Sequence, residues 1–166
     1  MSSNFCIRDI ELADHDRIVK LNSDVVEWTS PMSSVQLQEL VSMTAFRKVV
    51  VSDDAVVGFI LVMADDCLYK NDNFSWFAER YSRFLYIDRI VIDSTKSQSG
   101  YGRALYEQLI SYGRKRSSEQ LVCEYTFTPL NKGSHRFHQQ LGFSEVGRRQ
   151  LRGSEKIVSM QSKGIT

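Results

Sequence analysis

Apolar and polar positions alternate with two different periods along this chain, and the switches between them mark its elements. Phe5 to Ile10 (F-C-I-R-D-I) interleaves branched and aromatic residues with polar ones and predicts a strand. Asp14 to Val26 carries Ile18, Leu21 and Val25 at helical spacing, with Asp14 placed to cap the first turn. Ser34 to Ala45 opens on a serine cap signal, has Glu39 farther in, and predicts a second helix. Two apolar runs, Arg47 to Ser52 and Val56 to Met63, are separated by D-D-A and read as a hairpin. Ala64 to Arg83 begins polar (D-D-C-L-Y-K-N-D-N) and turns aromatic (F-S-W-F-A-E-R-Y). It predicts a loop with one short helix, and long loops inside compact domains are often functional.

The second half is sharper. Phe84 to Ile92 alternates as a strand, and Tyr101, Leu105, Leu109 and Tyr112 form one stripe of a helix that ends in R-K-R. Leu121 to Phe127 reads as a strand, and Asn131 to Leu141 as a helix closed by Gly142. Phe143 to Leu151 and Lys156 to Met160 read as final strands. The order β-α-α-β-β-β-α-β-α-β-β predicts an α/β (α+β) fold, a mixed central sheet flanked by helices. No repeat, low-complexity tract or linker divides the 166 residues, so the expectation is a single domain over 1–166.

Composition narrows the function classes. A formal net charge of +1 gives no general attraction toward nucleic acid or an acidic membrane, and neither is expected as a partner. The basic end of the Tyr101 helix, G-R-K-R, is too local to change that. Cys6, Cys67 and Cys123 are far apart and never spaced C-x-x-C, which suits reduced thiols in a cytoplasm better than a disulfide or zinc framework. The start of the chain lacks the basic-then-apolar pattern of a signal peptide, and Ala55 to Ala64 is too short to span a bilayer. A cytoplasmic location is the expectation.

Candidate chemistry centres on D-S-T-K-S-Q-S-G-Y-G-R-A-L, Asp93 to Leu105, where a strand passes through small residues directly into a helix. Gly100 and Gly102 stand at a helix N-terminus, whose free N–H groups and dipole make an anion site. Missing Cβ atoms let a phosphate approach the backbone. Arg103 and Lys96 flank the loop and can neutralise charge. The dinucleotide fingerprint fails because Leu105 stands where its third glycine belongs, and the P-loop fails because no G-K-[ST] follows. A pyrophosphate carried by another cofactor remains.

The stretch I-D-R-I-V-I-D-S-T-K-S-Q-S-G-Y-G-R-A-L resembles the acetyl-CoA motif of the GNAT superfamily of acyl-CoA-dependent N-acyltransferases, whose loop reads Q/R-x-x-G-x-G/A. Gly100 and Gly102 match its small positions. The first position departs, being Ser97, with the glutamine one residue late as Gln98. A second stretch, N-K-G-S-H-R-F-H-Q-Q-L-G-F, resembles the family's later helix, N-x-x-A/S-x-x-hydrophobic-Tyr-x-x-x-G-F. Asn131, Ser134, Phe137, Gly142 and Phe143 match, while His138 stands at the tyrosine. The predicted element order also fits the family over nearly the whole chain.

That resemblance implies acetyl-CoA as cosubstrate and a primary amine as acceptor. Two central strands would splay, with the pantetheine arm lying between them. Ile90, Val91 and Ile92 would give it backbone hydrogen bonds, and Ser97, Gln98, Ser99, Gly100, Tyr101, Gly102 and Arg103 would hold the pyrophosphate. Asn131, Ser134 and Phe137 would complete the cosubstrate site. A backbone N–H near Ile92 is the candidate oxyanion donor. His138 is the candidate acid for the departing thiolate, its competing role being a histidine packed on the helix face. Asp88 is the candidate base, its competing role being an ion pair.

Strand alternation sets Tyr86, Asp88, Ile90 and Ile92 on one face. Trp28, Trp76, Phe77, Tyr81 and Tyr86 are the candidate acceptor contacts, although aromatics at this spacing equally close a secondary core. H-R-F-H has no third ligand cluster beside it, so no metal is expected. Dimers are common in such folds, and no residue here demands one. The competing reading is a non-catalytic module of the same fold that binds acyl-CoA as a ligand.

Overall fold

The computed structural model describes residues 4–166. Seven strands form one sheet: β1 (Phe5–Asp9), β2 (Phe46–Ser52), β3 (Ala55–Ala64), β4 (Phe84–Ile92), β5 (Gln120–Thr128), β6 (Ser144–Gln150) and β7 (Ile157–Gly164). Five helices accompany them: α1 (His15–Asp24), α2 (Ser34–Met43), α3 (Asp72–Ala78), α4 (Tyr101–Lys115) and α5 (Lys132–Gln140). The sheet order is β1-β2-β3-β4-β5-β7-β6, and every pairing is antiparallel except β4 with β5. The predicted order of elements is the observed one, with α3 as the short helix expected inside the long loop. Among the described residues, no helix is long and apolar enough to cross a membrane.

Local chemistry explains most boundaries. Ser33 Oγ accepts from the Gln36 N–H while Gln36 Oε1 accepts from the Ser33 N–H, a reciprocal cap that starts α2. Asn71 and Asn131 cap α3 and α5 through their side-chain oxygens. The hairpin between β2 and β3 turns at Asp53 and Asp54, both at positive φ, as a two-residue turn of matching twist requires. Asp14 does not cap α1. Its buried carboxylate instead accepts two bonds from Arg8, at 2.7 and 2.9 Å, and one from the Glu11 N–H, tying β1 to the helix entrance.

Alternation along β3 divides the core. Phe59, Leu61 and Met63 face α1, α2 and α3, whereas Ile60, Val62 and Ala64 face α4 and the Phe143 corner. In β4 that alternation slips. Leu61 pairs with Arg89 but Val62 pairs with Ile87, leaving Asp88 as the extra residue of a bulge. Leu85, Ile87, Ile90 and Ile92 therefore all pack toward α4, while Tyr86 packs with Phe74 and Phe77 on the other face. The single face expected for Tyr86, Asp88, Ile90 and Ile92 is corrected accordingly: one inserted residue shifts the period-two pattern by one.

Candidate active site

β4 and β5 pair only over Phe84–Tyr86 against Gln120–Val122. Beyond that point the strands part, and a cavity of about 1600 Å³ runs through the opening. The outer half of β4 stays bonded to β3, so its second edge lines the gap without a strand partner. At one end of the gap lies the start of α4. Gly100 sits at φ +83°, and the first bond inside the helix runs from the Ala104 N–H to the Gly100 carbonyl, at 3.0 Å. The N–H groups of Tyr101, Gly102 and Arg103 precede it and have no intrahelical acceptor. A slot with a free strand edge along one wall and a helix N-terminus at its end fits an extended ligand that terminates in phosphate.

All thirteen residues expected to hold the cosubstrate border this cavity: Ile90 to Ile92, Ser97 to Arg103, Asn131, Ser134 and Phe137. Their contributions differ. The Tyr101 ring is buried and its hydroxyl donates to Ser52 Oγ at 3.0 Å, which leaves its backbone for the slot. The strand-to-helix loop is held from beneath, where Asp93 accepts from the Thr95 N–H, the Thr95 hydroxyl and Arg17. Gly102 is required by packing. A Cβ there would lie 2.8 Å from Phe137 Cζ, and Phe137 is in turn set edge-on against Tyr106. Gly102→Val is expected to destabilise the protein by about 1–3 kcal/mol, the usual cost of forcing volume into a packed contact. Urea denaturation checks this; unchanged stability would mean the ring swings away freely.

His138 borders the cavity but is 4% exposed. Its Nδ1–H donates to the Ser134 carbonyl at 2.8 Å, and its Nε2 accepts from the Tyr106 hydroxyl at 2.7 Å. Burial pushes its pKa below the ordinary imidazole value, only partly countered by the Ser134 bond. Both ring nitrogens are engaged, and of the two roles expected of His138, thiolate acid or packed histidine, the geometry is that of the packed histidine. Asp88 is likewise engaged at both oxygens. Oδ1 accepts from the Tyr69 hydroxyl at 2.6 Å and Oδ2 from Arg89 Nε at 2.7 Å, while Arg89 continues to Asn22 and the Ser30 carbonyl. Of its two expected roles, base or ion pair, the geometry is that of the ion pair.

The carboxyl with capacity to spare is Glu124, on β5 across the opening from Asp88. Tyr86 donates to its Oε1 at 2.8 Å and Asn73 Nδ2 donates to the same oxygen at 2.9 Å. Its Oε2 is buried and has no hydrogen-bond partner among the described residues. Burial raises its pKa from 4.5 to about 7; the Tyr86 and Asn73 bonds and the Arg149 charge hold it down, and the Asp88 charge adds to the rise. Sequence reasoning missed this residue. The available signal was a lone acid inside an otherwise apolar strand, L-V-C-E-Y-T-F.

Of the expected acceptor contacts, Trp28 and Tyr86 border the cavity, and Met32 and Leu40 extend its apolar wall. Trp76, Phe77 and Tyr81 do not border it. Phe77 is fully buried on the inward face of α3, Tyr81 stacks on it, and Trp76 lies over Gly147 with the Arg80 guanidinium on its ring. They are corrected to a secondary core, because α3 turns its aromatic face down onto β4, β5 and β7. Over the Trp28 end, Lys156 Nζ, between β6 and β7, donates to the Glu27 carbonyl at 2.9 Å and roofs the chamber.

A family model described as Acetyltransferase (GNAT) family matches residues 10–143. Among solved structures, Ard1 from Thermoplasma volcanium superposes with a TM-score of 0.80 at 17% identity, over 98% of each chain. The ribosomal-protein-S18-alanine N-acetyltransferase from Escherichia coli gives 0.73 at 16% identity, over 98% of this chain and 95% of that one. YncA from Salmonella typhimurium, solved with its cofactor acetyl-CoA, gives 0.72 at 18% identity, over 99% and 95%. At such identities these likenesses establish the fold. No curated protein matches the sequence at a significant level.

Proposed function

This chain belongs to the GNAT acetyltransferase family and is an acetyl-CoA-dependent N-acetyltransferase; from that premise we propose that its acceptor is a primary amine and that Glu124 takes the amine's proton. The acceptor belongs to a small molecule, an amino-acid derivative or a peptide, with its apolar part against Trp28, Met32 and Leu40. The observation that carries the reading is the parting of β4 from β5 beside the Gly100–Gly102 helix start, with the Glu124 carboxyl across the opening, its buried Oε2 without a hydrogen-bond partner among the described residues.

Acetyl-CoA, when bound, supplies an acetyl group already activated as a thioester. The free edge at Ile90 to Ile92 offers backbone donors and acceptors to an extended arm and to the thioester oxygen as charge develops on it. The first N–H groups of α4, with Arg103 nearby, hold pyrophosphate. Asn131, Ser134 and Phe137 wall the arm from the α5 side. Glu124, with a pKa close to neutral, accepts the ammonium proton directly or across one water, so that a neutral amine reaches the thioester. A thiolate leaves readily, which is why a neutral His138 is tolerable. A module that only binds acyl-CoA needs no such carboxyl beside the gap. We read the whole of 1–166 as one such domain.

Saturating acetyl-CoA, at about 100 times its dissociation constant, is expected to add roughly 2.7 kcal/mol and raise Tm by about 5–10 °C, with NAD and ATP as controls. Release of free CoA thiol then reports which amines are acetylated. No rise at millimolar acetyl-CoA would defeat the assignment of the slot. A rise without thiol release for any class of amine would leave a binding module in place of the enzyme site.

A further inference from the structure

Asn73 is the second residue of α3 and Arg149 stands on β6, an edge strand of the sheet, yet the fold sets them in one line behind Glu124. Arg149 Nη1 donates to Asn73 Oδ1 at 2.5 Å, and Asn73 Nδ2 donates to Glu124 Oε1 at 2.9 Å. A primary amide can present either end to a carboxylate, and only the nitrogen end is a donor. By occupying the oxygen end, Arg149 decides which end Glu124 meets. The amide is also fixed along its backbone, where Asn71 Oδ1 accepts from the Asn73 N–H at 2.9 Å. Arg149 is held in turn by Asp72 at 3.8 Å.

We propose that Asn73 and Arg149 are positioning residues for Glu124, keeping a second donor beside Tyr86 on Oε1 so that Oε2 is the acceptor left open in the site. The proposal rests on Glu124 being the base. No neighbouring group substitutes for the amide. Tyr86 already occupies Oε1, and Tyr69 and Arg89 are both engaged by Asp88. Asp88 brings like charge rather than a donor, and Asp72 lies behind Arg149.

The carboxyl carbon of Glu124, followed by NMR in glutamate-labelled, ligand-free protein and assigned by its loss in Glu124→Gln, tests the relay without any acceptor. Removing a donor disfavours the ionised form, so Asn73→Ala is expected to move the titration midpoint upward by about one pH unit. Arg149→Met, which frees the amide to turn and removes a positive charge, is expected to move it the same way by less, with Arg149→Lys recovering part of the shift. Midpoints at the wild-type position in both Asn73→Ala and Arg149→Met overturn the proposal. Should Asn73→Ala fail to fold, Arg149→Met, on the edge strand, decides alone. Full turnover in Glu124→Gln would instead defeat the base assignment, a failure separate from an unmoved midpoint.

Discussion

Glu124→Gln is expected to lower kcat by about 10²- to 10⁴-fold, the span that a well-placed general base contributes. Glutamine keeps the shape of the side chain and an oxygen to accept from Tyr86 and Asn73, so the packing at the parting of the strands survives. What disappears is a group able to take a proton. Because the carboxyl titrates near 7, the wild-type rate should fall as pH drops through that value, when the base becomes protonated. The variant should lose this acidic limb while keeping its thermal shift with acetyl-CoA. Kinetics from about pH 5.5 to 9, with an amine identified by thiol release, check both points. A turnover within a few-fold of wild type, with the limb still present, would remove Glu124 from the mechanism.

The same substitution is expected to stabilise the protein at pH 8 by about 3 kcal/mol, the value of a shift from 4.5 to about 7. The folded state holds the Glu124 proton up to about pH 7, whereas the unfolded chain releases it near its ordinary value of 4.5. Between those two values the unfolded state binds fewer protons, so the stability due to this group falls as pH rises, and is fully present only below 4.5. Most paired carboxylates behave oppositely. Asp14, lowered chiefly by its Arg8 bond, adds stability that acid removes. The difference between Glu124→Gln and wild type isolates the one group: small at pH 4.5, growing to a plateau above 7. Urea denaturation at pH 5 and pH 8 reads it, and an equal gap at both values would mean that the carboxyl is not strained by burial. An enzyme that gains stability by losing its base has placed that base at a thermodynamic cost.

The fold was legible where the chain's own periodicity carries it. The β4–loop–α4 unit announces itself through a nine-residue run that is apolar except at Asp88 and Arg89, two glycines one apart and a regular helical stripe. Ile90 and Ile92 lie on the face opposite to the one the alternation predicts, because a bulge is a two-strand event. Nothing in F-L-Y-I-D-R-I-V-I shows that β3 will skip a partner between Leu61 and Val62. His138 stands where the family motif has a tyrosine, but whether a histidine ionises depends on what encloses it, and Tyr106 comes from a helix 32 residues away. Glu124 is inconspicuous in the sequence for the same reason. Its partners Asn73 and Tyr86 lie 51 and 38 residues distant in sequence, and the Asn73–Arg149 contact spans 76. The three aromatics around α3 have the composition of a pocket wall and the packing of a core, and only the direction of the helix separates the two.

The gap between β4 and β5 also bears on pairing with foreign strands. Unpaired strand edges are templates for unwanted pairing with other chains, and proteins usually shorten, charge or cover them. Here a reactive edge lies in the middle of the sheet, with α1, α2 and α3 over one face and α4 over the other. A foreign β-strand would have to bring side chains through both helical layers to reach it. A slender, flexible arm does not. The molecule thus keeps open backbone valences for its ligand, and the walls that define the slot exclude the partners that would cause aggregation.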